Sequence, residues 1–318
     1  MKTLVERKAK LKEVMKDINK TMGFSLIKMG DEEKPKEKLS WGISELDSFT
    51  GGIVKGNFNI IYGSQSVGKS TLAYHLVAST QKAGLACCYI DMERSFSVER
   101  AVQFGVDLEN LILITSAETA EQAMDAVIKL TREEVIDLII IDSIQAMSAE
   151  GEQVTKQGKE RSISDDTMAL LARKLSQFFR ICASSVYKAN CAVLMIGQVR
   201  KELGSFIVRD GLSGGCALQH WAVMIMHMRQ GQGADAPVEK VKTEYEDTDG
   251  KIHKETKEVK LGHDTVFKIE KTKVSGGKPE GSDIHIPFYF KTGFIETPVA
   301  VTPVAVEEKK NKRKKKAL

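Results

Sequence analysis

Gly63-Ser64-Gln65-Ser66-Val67-Gly68-Lys69-Ser70 decides how this chain is read. It fits G-x-x-x-x-G-K-[ST], a pattern whose glycines let backbone N–H groups turn inward around phosphates. The flanks agree: the apolar run FNIIY leads in, and STLAYHLVAST leads out as a helix. A helix that starts there adds its dipole to the cradle. Lys69 is expected to reach β- and γ-phosphates, and the Ser70 hydroxyl to ligate Mg²⁺. The expected nucleotide contacts run from Gly63 to Thr71.

Two further strand ends carry carboxylates. Residues 136–143, IDLIIIDS, form an apolar run closing on Asp142. Such a run is common alone, but beside a phosphate loop its acid is expected to hold Mg²⁺ through water. Residues 89–93, YIDME, end another strand with Asp91 and Glu93. A carboxylate at that tip can orient and deprotonate an attacking water. The spacing leaves both acids open for the role.

Outward from the loop, strand and helix alternate. Strands are expected at 58–62, 86–91, 111–115, 138–142, 192–197, 223–228, 265–270 and 284–290. Helices are expected at 69–83, 97–104, 119–133 and 167–189. This alternation argues for an α/β fold with a mostly parallel central sheet covered on both faces. The later strands lack long helices between them, so an antiparallel extension is expected. Residues 148–166 and 201–215 suit no regular element, and each follows a central strand where open sheets bind ligands. Residues 231–264, polar with a DTDG turn, read as an exposed charged hairpin. The first 22 residues read as an amphipathic helix ended by Gly23, then an apolar piece and a polar linker. The expected divisions are an arm at 1–38, a core at 39–297 and a basic tail at 298–318.

Apolar residues make up 42% and charged residues 28% of the 318 residues, the balance of a globular protein. The apolar runs fall far short of the roughly 20 residues a membrane helix needs. The charged N-terminus has no apolar signal core, so a cytoplasmic location is expected. Five cysteines without CxxC spacing point to buried thiols rather than zinc or disulfides. The net charge of +4 comes from the end of the chain: residues 307–318 hold seven bases and two acids, and the remainder has 40 bases and 41 acids. Overall charge therefore does not by itself argue for nucleic acid.

Taken together, the motifs resemble the RecA family of recombinases in its bacterial and phage branch. GSQSVGKS, YIDMERSF, GVDLENLILI, LIIIDSIQAM, MALLARKLSQFFR, IGQVRKELG, SGGCAL and KIEKTKVSG follow in the family's order. Near the start, DINKTMGFSLIKMGD looks like the helix and apolar strand with which a RecA subunit docks on its neighbour. The resemblance implies that Glu93 is the catalytic glutamate and that Gln198 senses the γ-phosphate. It makes the two long segments DNA-binding loops, about 148–167 and 201–215. Met168 and Leu203 match residues that insert between bases; Arg173, Arg180, Gly214 and Gly215 match positions on the DNA backbone. Lys271 and Lys273 match a lysine pair that reaches a neighbour's ATP. Single-stranded DNA also needs cations and groups that separate bases; Lys156, Lys159, Arg161, Arg200, Lys201, Arg209, Phe206 and Ile207 offer such groups, although the interleaved Glu150, Glu152 and Glu160 suit a solvated loop equally well, and it is the resemblance that favours DNA.

The implied function is an ATP- and Mg²⁺-dependent DNA recombinase. It would form helical homo-filaments on single-stranded DNA, pair homologous duplex DNA, and work with single-strand-binding or mediator proteins. A mediator without efficient strand exchange and a ring helicase are the alternatives. Departures from the family pattern point to a phage-like or divergent member. Arg100 stands where bacterial RecA stacks a Tyr on adenine. Cys216 replaces an Asn, His220 falls on an interface aromatic, and the first loop and the hairpin look longer. No counterpart of the C-terminal domain of bacterial RecA is expected, and a basic tail replaces an acidic one.

Overall fold

The structure, a computed structural model, describes residues 3–23, 25–33, 35–153, 170–201, 210–212, 216–231, 237–246 and 252–294. In chain order the first elements are α1 (Leu4–Met22), β1 (Lys38–Leu39), α2 (Ser44–Thr50), β2 (Ile53–Val54), β3 (Asn57–Gly63), α3 (Lys69–Lys82), β4 (Cys87–Asp91), α4 (Val98–Gln103), β5 (Leu111–Ile114), α5 (Ala120–Arg132) and β6 (Leu138–Asp142). The rest are α6 (Glu150–Gln153), α7 (Leu170–Lys188), β7 (Ala192–Lys201), β8 (Asp210–Leu212), α8 (Cys216–Trp221), β9 (Ala222–Gln230), β10 (Val238–Glu246), β11 (Ile252–Lys260), β12 (Gly262–Thr272) and β13 (Asp283–Tyr289). They fall into two compact units, Met1–Glu37 and Lys38–Leu318.

In the first unit, Thr3 and Glu6 cap α1 reciprocally, and Gly23 closes it in the left-handed region at φ 74°. Asn19 then holds the following segment: its side chain accepts the Leu26 and Ile27 N–H groups at 2.8 Å each. No residue of α1 is buried, and Leu4, Leu11 and Val14 stay exposed. The resemblance implied a strand next. Described residues 25–29 form none, because a strand's backbone bonds come from a partner strand and none runs beside them.

A nine-stranded sheet organises the second unit, in the order β13-β12-β9-β3-β7-β6-β4-β5 with β8 beside β7. The pairs from β9 to β5 are parallel, whereas β12 and β13 add antiparallel. This is the architecture the alternation implied. Two apolar clusters cover the faces: Ile61, Ile140 and Leu194 face one, and Ile60, Ile139, Val193 and Met195 face the other. Alternate residues point to opposite faces, so with both faces covered every residue of LIIID is buried. Met224, Met226, Met228, Phe178 and Phe179 are core. Four cysteines are buried, with Cys87 and Cys88 pushed up to about 12 by burial, and Cys216 is exposed.

The structure corrects several local expectations. The segment 201–215 is regular at its start: β7 runs to Lys201, and β8 pairs back with Val199 opposite Leu212. A one-turn helix, α6, begins the segment 148–166. Among the described residues, strands β10 and β11 pair with each other alone, along nine positions. No helix among the described residues is long and apolar enough to cross a membrane.

Candidate functional site

The loop between β3 and α3 turns on two left-handed residues, Ser66 at φ 60° and Gly68 at φ 95°. Its glycines answer to close packing. A Cβ at Gly63 would lie 2.0 Å from the Met228 carbonyl oxygen, and one at Gly68 would meet the Phe288 and Phe294 rings within 2.9 Å. Pinned in this way, the loop delivers the first N–H groups of α3 to a cleft of about 600 Å³.

Lys69 folds back in the cleft and donates to the Gly63 and Ser64 carbonyls at 3.0 and 2.6 Å. Burial lowers its pKa, while Asp142 and Glu93 pull the other way. Ser70 Oγ and the Tyr89 hydroxyl both donate to Asp142 Oδ2, at 2.7 and 2.6 Å. Burial raises the Asp142 pKa, and the nearby Glu93 and Asp91 charges add to the rise. A hydroxyl beside a carboxylate at a helix N-terminus is an oxygen donor set suited to a hard divalent cation. No cluster of three or more His, Cys, Asp or Glu able to hold a metal occurs among the described residues. Mg²⁺ is usually bound by one or two protein oxygens with waters and substrate phosphates completing the shell. The donors present fit that ion.

The two acids at the end of β4 separate clearly. Asp91 is buried away from the cleft; its Oδ2 accepts the Phe96 N–H at 2.7 Å and its Oδ1 has no partner. Glu93 lines the cleft. Glu93 Oε1 accepts from Gln198 Nε2 at 2.9 Å and from Ser143 Oγ. The N–H groups of Met92 and Glu93 reach the Asp142 carbonyl at 2.7 and 3.3 Å, tying the tips of β4 and β6 together. Lys69, Ser70, Asp142, Glu93 and Gln198 thus meet at the ends of four neighbouring strands, β3, β7, β6 and β4. Gln65, Ser66, Gly68 and Thr71 line the same space.

Arg100 reaches the cleft from α4, with Nη2 3.4 Å from Thr71 Oγ1 and the guanidinium carbon 5.6 Å from the Phe104 ring centre. Phe288 and Phe290 also line it. The sequence pattern marked them only as a late strand, and nothing local tells an aromatic at a cleft from one in a core. Ser143, next to Asp142, was missed as well; a hydroxyl following a strand-end acid was the available signal.

Lys271 and Lys273 lie elsewhere. Gly63 pairs with Met228, whereas Lys271 pairs with Ile225, which pairs with Ile60. The end of β12 is therefore at the opposite end of the sheet from Gly63. Lys271 Nζ donates to the Gln219 carbonyl and, at 3.3 Å, to that of His220. The Lys273 N–H donates to the Val223 carbonyl at 2.8 Å. Partial burial lowers the Lys271 pKa, and the Lys273 charge lowers it further. Neither lysine lines the cleft of its own chain.

Of the residues expected on DNA, Arg173 and Arg180 lie exposed on α7, two helical turns apart. Arg200 has a described backbone in β7, opposite Gly211. Lys156, Lys159, Arg161, Met168, Leu203, Phe206, Ile207, Arg209, Gly214 and Gly215 lie outside the described residues.

Residues 9–277 match the family described as RecA N-terminal domain. Protein RecA of Sulfurimonas denitrificans is 36% identical over 222 residues, covering 68% of this chain and 62% of that protein. Protein RecA of Trichodesmium erythraeum is 34% identical over 231 residues, 71% of this chain and 62% of that protein. That of Thermotoga petrophila is 35% identical over 233 residues, 71% and 64%. The chain thus spans less than two thirds of the length of these relatives. A solved structure described as the RadB recombinase aligns with a TM-score of 0.55 at 21% identity, over 80% of this chain and 97% of that one. At that identity the likeness speaks for the fold.

Proposed function

This chain belongs to the RecA family, and from that premise we propose that it is an ATP-dependent DNA recombinase that assembles as a filament on single-stranded DNA. The observation that carries the reading is the meeting of Lys69, Ser70, Asp142, Glu93 and Gln198 in one cleft at the start of α3. Backbone N–H groups of residues 64–70 cradle the phosphates. Lys69 leaves the Gly63 and Ser64 carbonyls and turns to the β- and γ-phosphates. Ser70 and Asp142 hold Mg²⁺, which when bound neutralises phosphate charge. Glu93 orients and deprotonates the attacking water. Gln198 gives up its bond to Glu93 when a γ-phosphate competes for its amide. Arg100 and Phe290, which both line the cleft, are the proposed contacts of the base; a guanidinium can lie flat on a ring as a tyrosine does.

Lys271 and Lys273 complete the site of the next subunit along the filament, stabilising charge on its γ-phosphate as an arginine finger does in trans. Their place at the far end of the sheet supports this reading, since they are out of reach of their own cleft. The loops 148–167 and 201–215, with Arg173, Arg180 and Arg200, hold the strand. Homologous duplex DNA is the second substrate, and single-strand-binding or mediator proteins are the proposed partners. The cytoplasm is the proposed site of action.

The test measures ATP hydrolysis with and without single-stranded DNA, together with electron microscopy and a strand-pairing assay. Stimulated hydrolysis, helical filaments and joint-molecule formation are expected. Filaments without joint molecules would favour the mediator reading, and hexameric rings that unwind duplexes would favour a helicase.

A further inference from the structure

Strand β6 ends at Asp142, and its last pair with β7 is Ile141 opposite Met195. Beyond that point β7 continues to Lys201 with no β6 backbone alongside. The Gln198 N–H, half-buried at this point, therefore needs another acceptor, because a backbone donor withdrawn from water and left unpaired is costly. Gln145 supplies it: its Oε1 accepts the Gln198 N–H at 2.8 Å. Gln145 sits in a 3-10 turn, Ile144–Ala146, that leads from Asp142 toward the segment 148–167.

Three stems meet at this bond. Gln145 belongs to the stem of the first long loop. Gln198 begins the outgoing stem of the second, and Leu212 lies on its return strand, opposite Val199. Gly197 lets the return strand pack closely: a Cβ there would lie 2.8 Å from Leu212 Cδ1, with Gln145 Nε2 at ordinary contact distance, 3.6 Å. On its other side Gln198 reaches Glu93. One residue, Gln198, thus joins the cleft through its side chain and the first loop's stem through its backbone N–H.

We propose that Gln145 is a positioning residue that makes the first loop respond to the nucleotide together with the second. Its side-chain carbonyl fixes the Gln198 backbone, so any movement of Gln198 toward or away from Glu93 pulls on the turn that follows Asp142. The inference deepens the reading given above and rests on it for the roles of the cleft and loops. Gln145 does not line the cleft, so it acts through Gln198 rather than on the nucleotide.

The test compares Gln145→Met, which keeps the length but removes the acceptor, with Gln145→Glu, which keeps an acceptor oxygen. In the full chain, Gln145→Met should bind a non-hydrolysable ATP analogue within about twofold of the parent. Its stimulation by single-stranded DNA should fall about five- to tenfold, the weight of one hydrogen bond. Gln145→Glu should restore most of it. Hydrogen exchange gives a second readout that needs no DNA. In the parent, the analogue should change protection at 143–149 and 198–201 together; in Gln145→Met only the second segment should respond. Full DNA stimulation with both segments responding in Gln145→Met overturns the proposal. So does an equal loss of analogue binding and thermal stability, which would make the bond merely structural. If the parent itself shows no DNA stimulation, the recombinase reading fails, and the exchange experiment still decides whether Gln145 couples the two segments.

Discussion

At one end of the sheet, where β3 closes on Gly63, side chains from the start of α3 and from the ends of β4, β6 and β7 converge, and Asp142 and Glu93 each accept bonds there from neighbouring elements. At the other end, where β12 finishes, Lys271 spends its donors on the carbonyls of α8, and neither Lys271 nor Lys273 lines the cleft. The first end is nearly self-sufficient in one chain. The second end carries charge that the same register which builds the cleft holds away from it. In the reading proposed above, a site divided in this way works only when copies stack, so assembly and hydrolysis become one event.

The strongest test of that contrast is a mixing experiment. Lys271→Ala with Lys273→Ala should leave nucleotide affinity of the isolated chain intact, yet lower hydrolysis by the pure filament about 10³-fold, the scale of a cation supplied in trans. Lys69→Ala subunits should be inactive too. Mixed filaments pair an intact loop from the first with intact lysines from the second, and hydrolysis should return. Absence of recovery at every ratio, with mixed filaments visible, would refute the division.

Within the cleft, Glu93→Gln should slow turnover about 10²–10³-fold with nucleotide affinity retained, because only the base is lost. Asp91→Asn should instead lower the unfolding midpoint and leave turnover of the folded protein near the parent value, since Asp91 holds the Phe96 N–H rather than a water. A reversal of these two phenotypes would exchange the roles. Lys69→Ala alone should weaken nucleotide binding roughly 100-fold by titration calorimetry, the weight of two charged hydrogen bonds lost. Unchanged affinity would remove the cleft from the comparison.

Stability on the cleft side should depend on pH through His75, buried on α3 with Nε2 unpartnered. Burial lowers its pKa from 6.5 to about 4. The folded chain keeps it neutral in that window, while the unfolded chain binds a proton there. Stability is therefore complete above about pH 6.5 and falls as pH drops toward 4, by roughly 3 kcal/mol in all. Denaturant titrations at pH 7 and pH 5 measure this, and His75→Leu should flatten the dependence. An unchanged slope would move the acid sensitivity elsewhere. The smallest effect expected belongs to the tail: truncation after Val306 should reduce the salt slope of single-stranded DNA binding by about 0.7 for each phosphate it neutralises. No change in slope would leave DNA binding to the loops alone.

Much of the fold is legible in the linear chain. The run 138–142 and strand β6 coincide at both ends, because five consecutive residues buried on two faces leave little else for the chain to do. Gly23 as the end of α1 is readable for a similar reason, since the left-handed C-cap favours a residue without a Cβ. Helix α2 is not readable: seven residues are too few to show a helical period, and Leu46 and Phe49 are buried by joining an apolar cluster assembled from residues far along the chain. Strand β8 is hidden too, since three residues read as a loop until β7 runs past its neighbour and offers an edge.

The linear order of residues by itself determined the phosphate loop, the strand-end acids and the alternating architecture, because each depends on neighbours within a few residues. The choice between Asp91 and Glu93 was open to spacing alone and needed the family resemblance or the fold. In the structure, one carboxylate turns inward to the Phe96 N–H, and the other meets Gln198, a residue 105 positions away in sequence. The aromatic lining from Phe288 and Phe290 and the bond from Gln145 to Gln198 were likewise decided only by tertiary structure. In each case the partner arrives from another strand, and sheet order, which no local pattern encodes, determines which strands are neighbours.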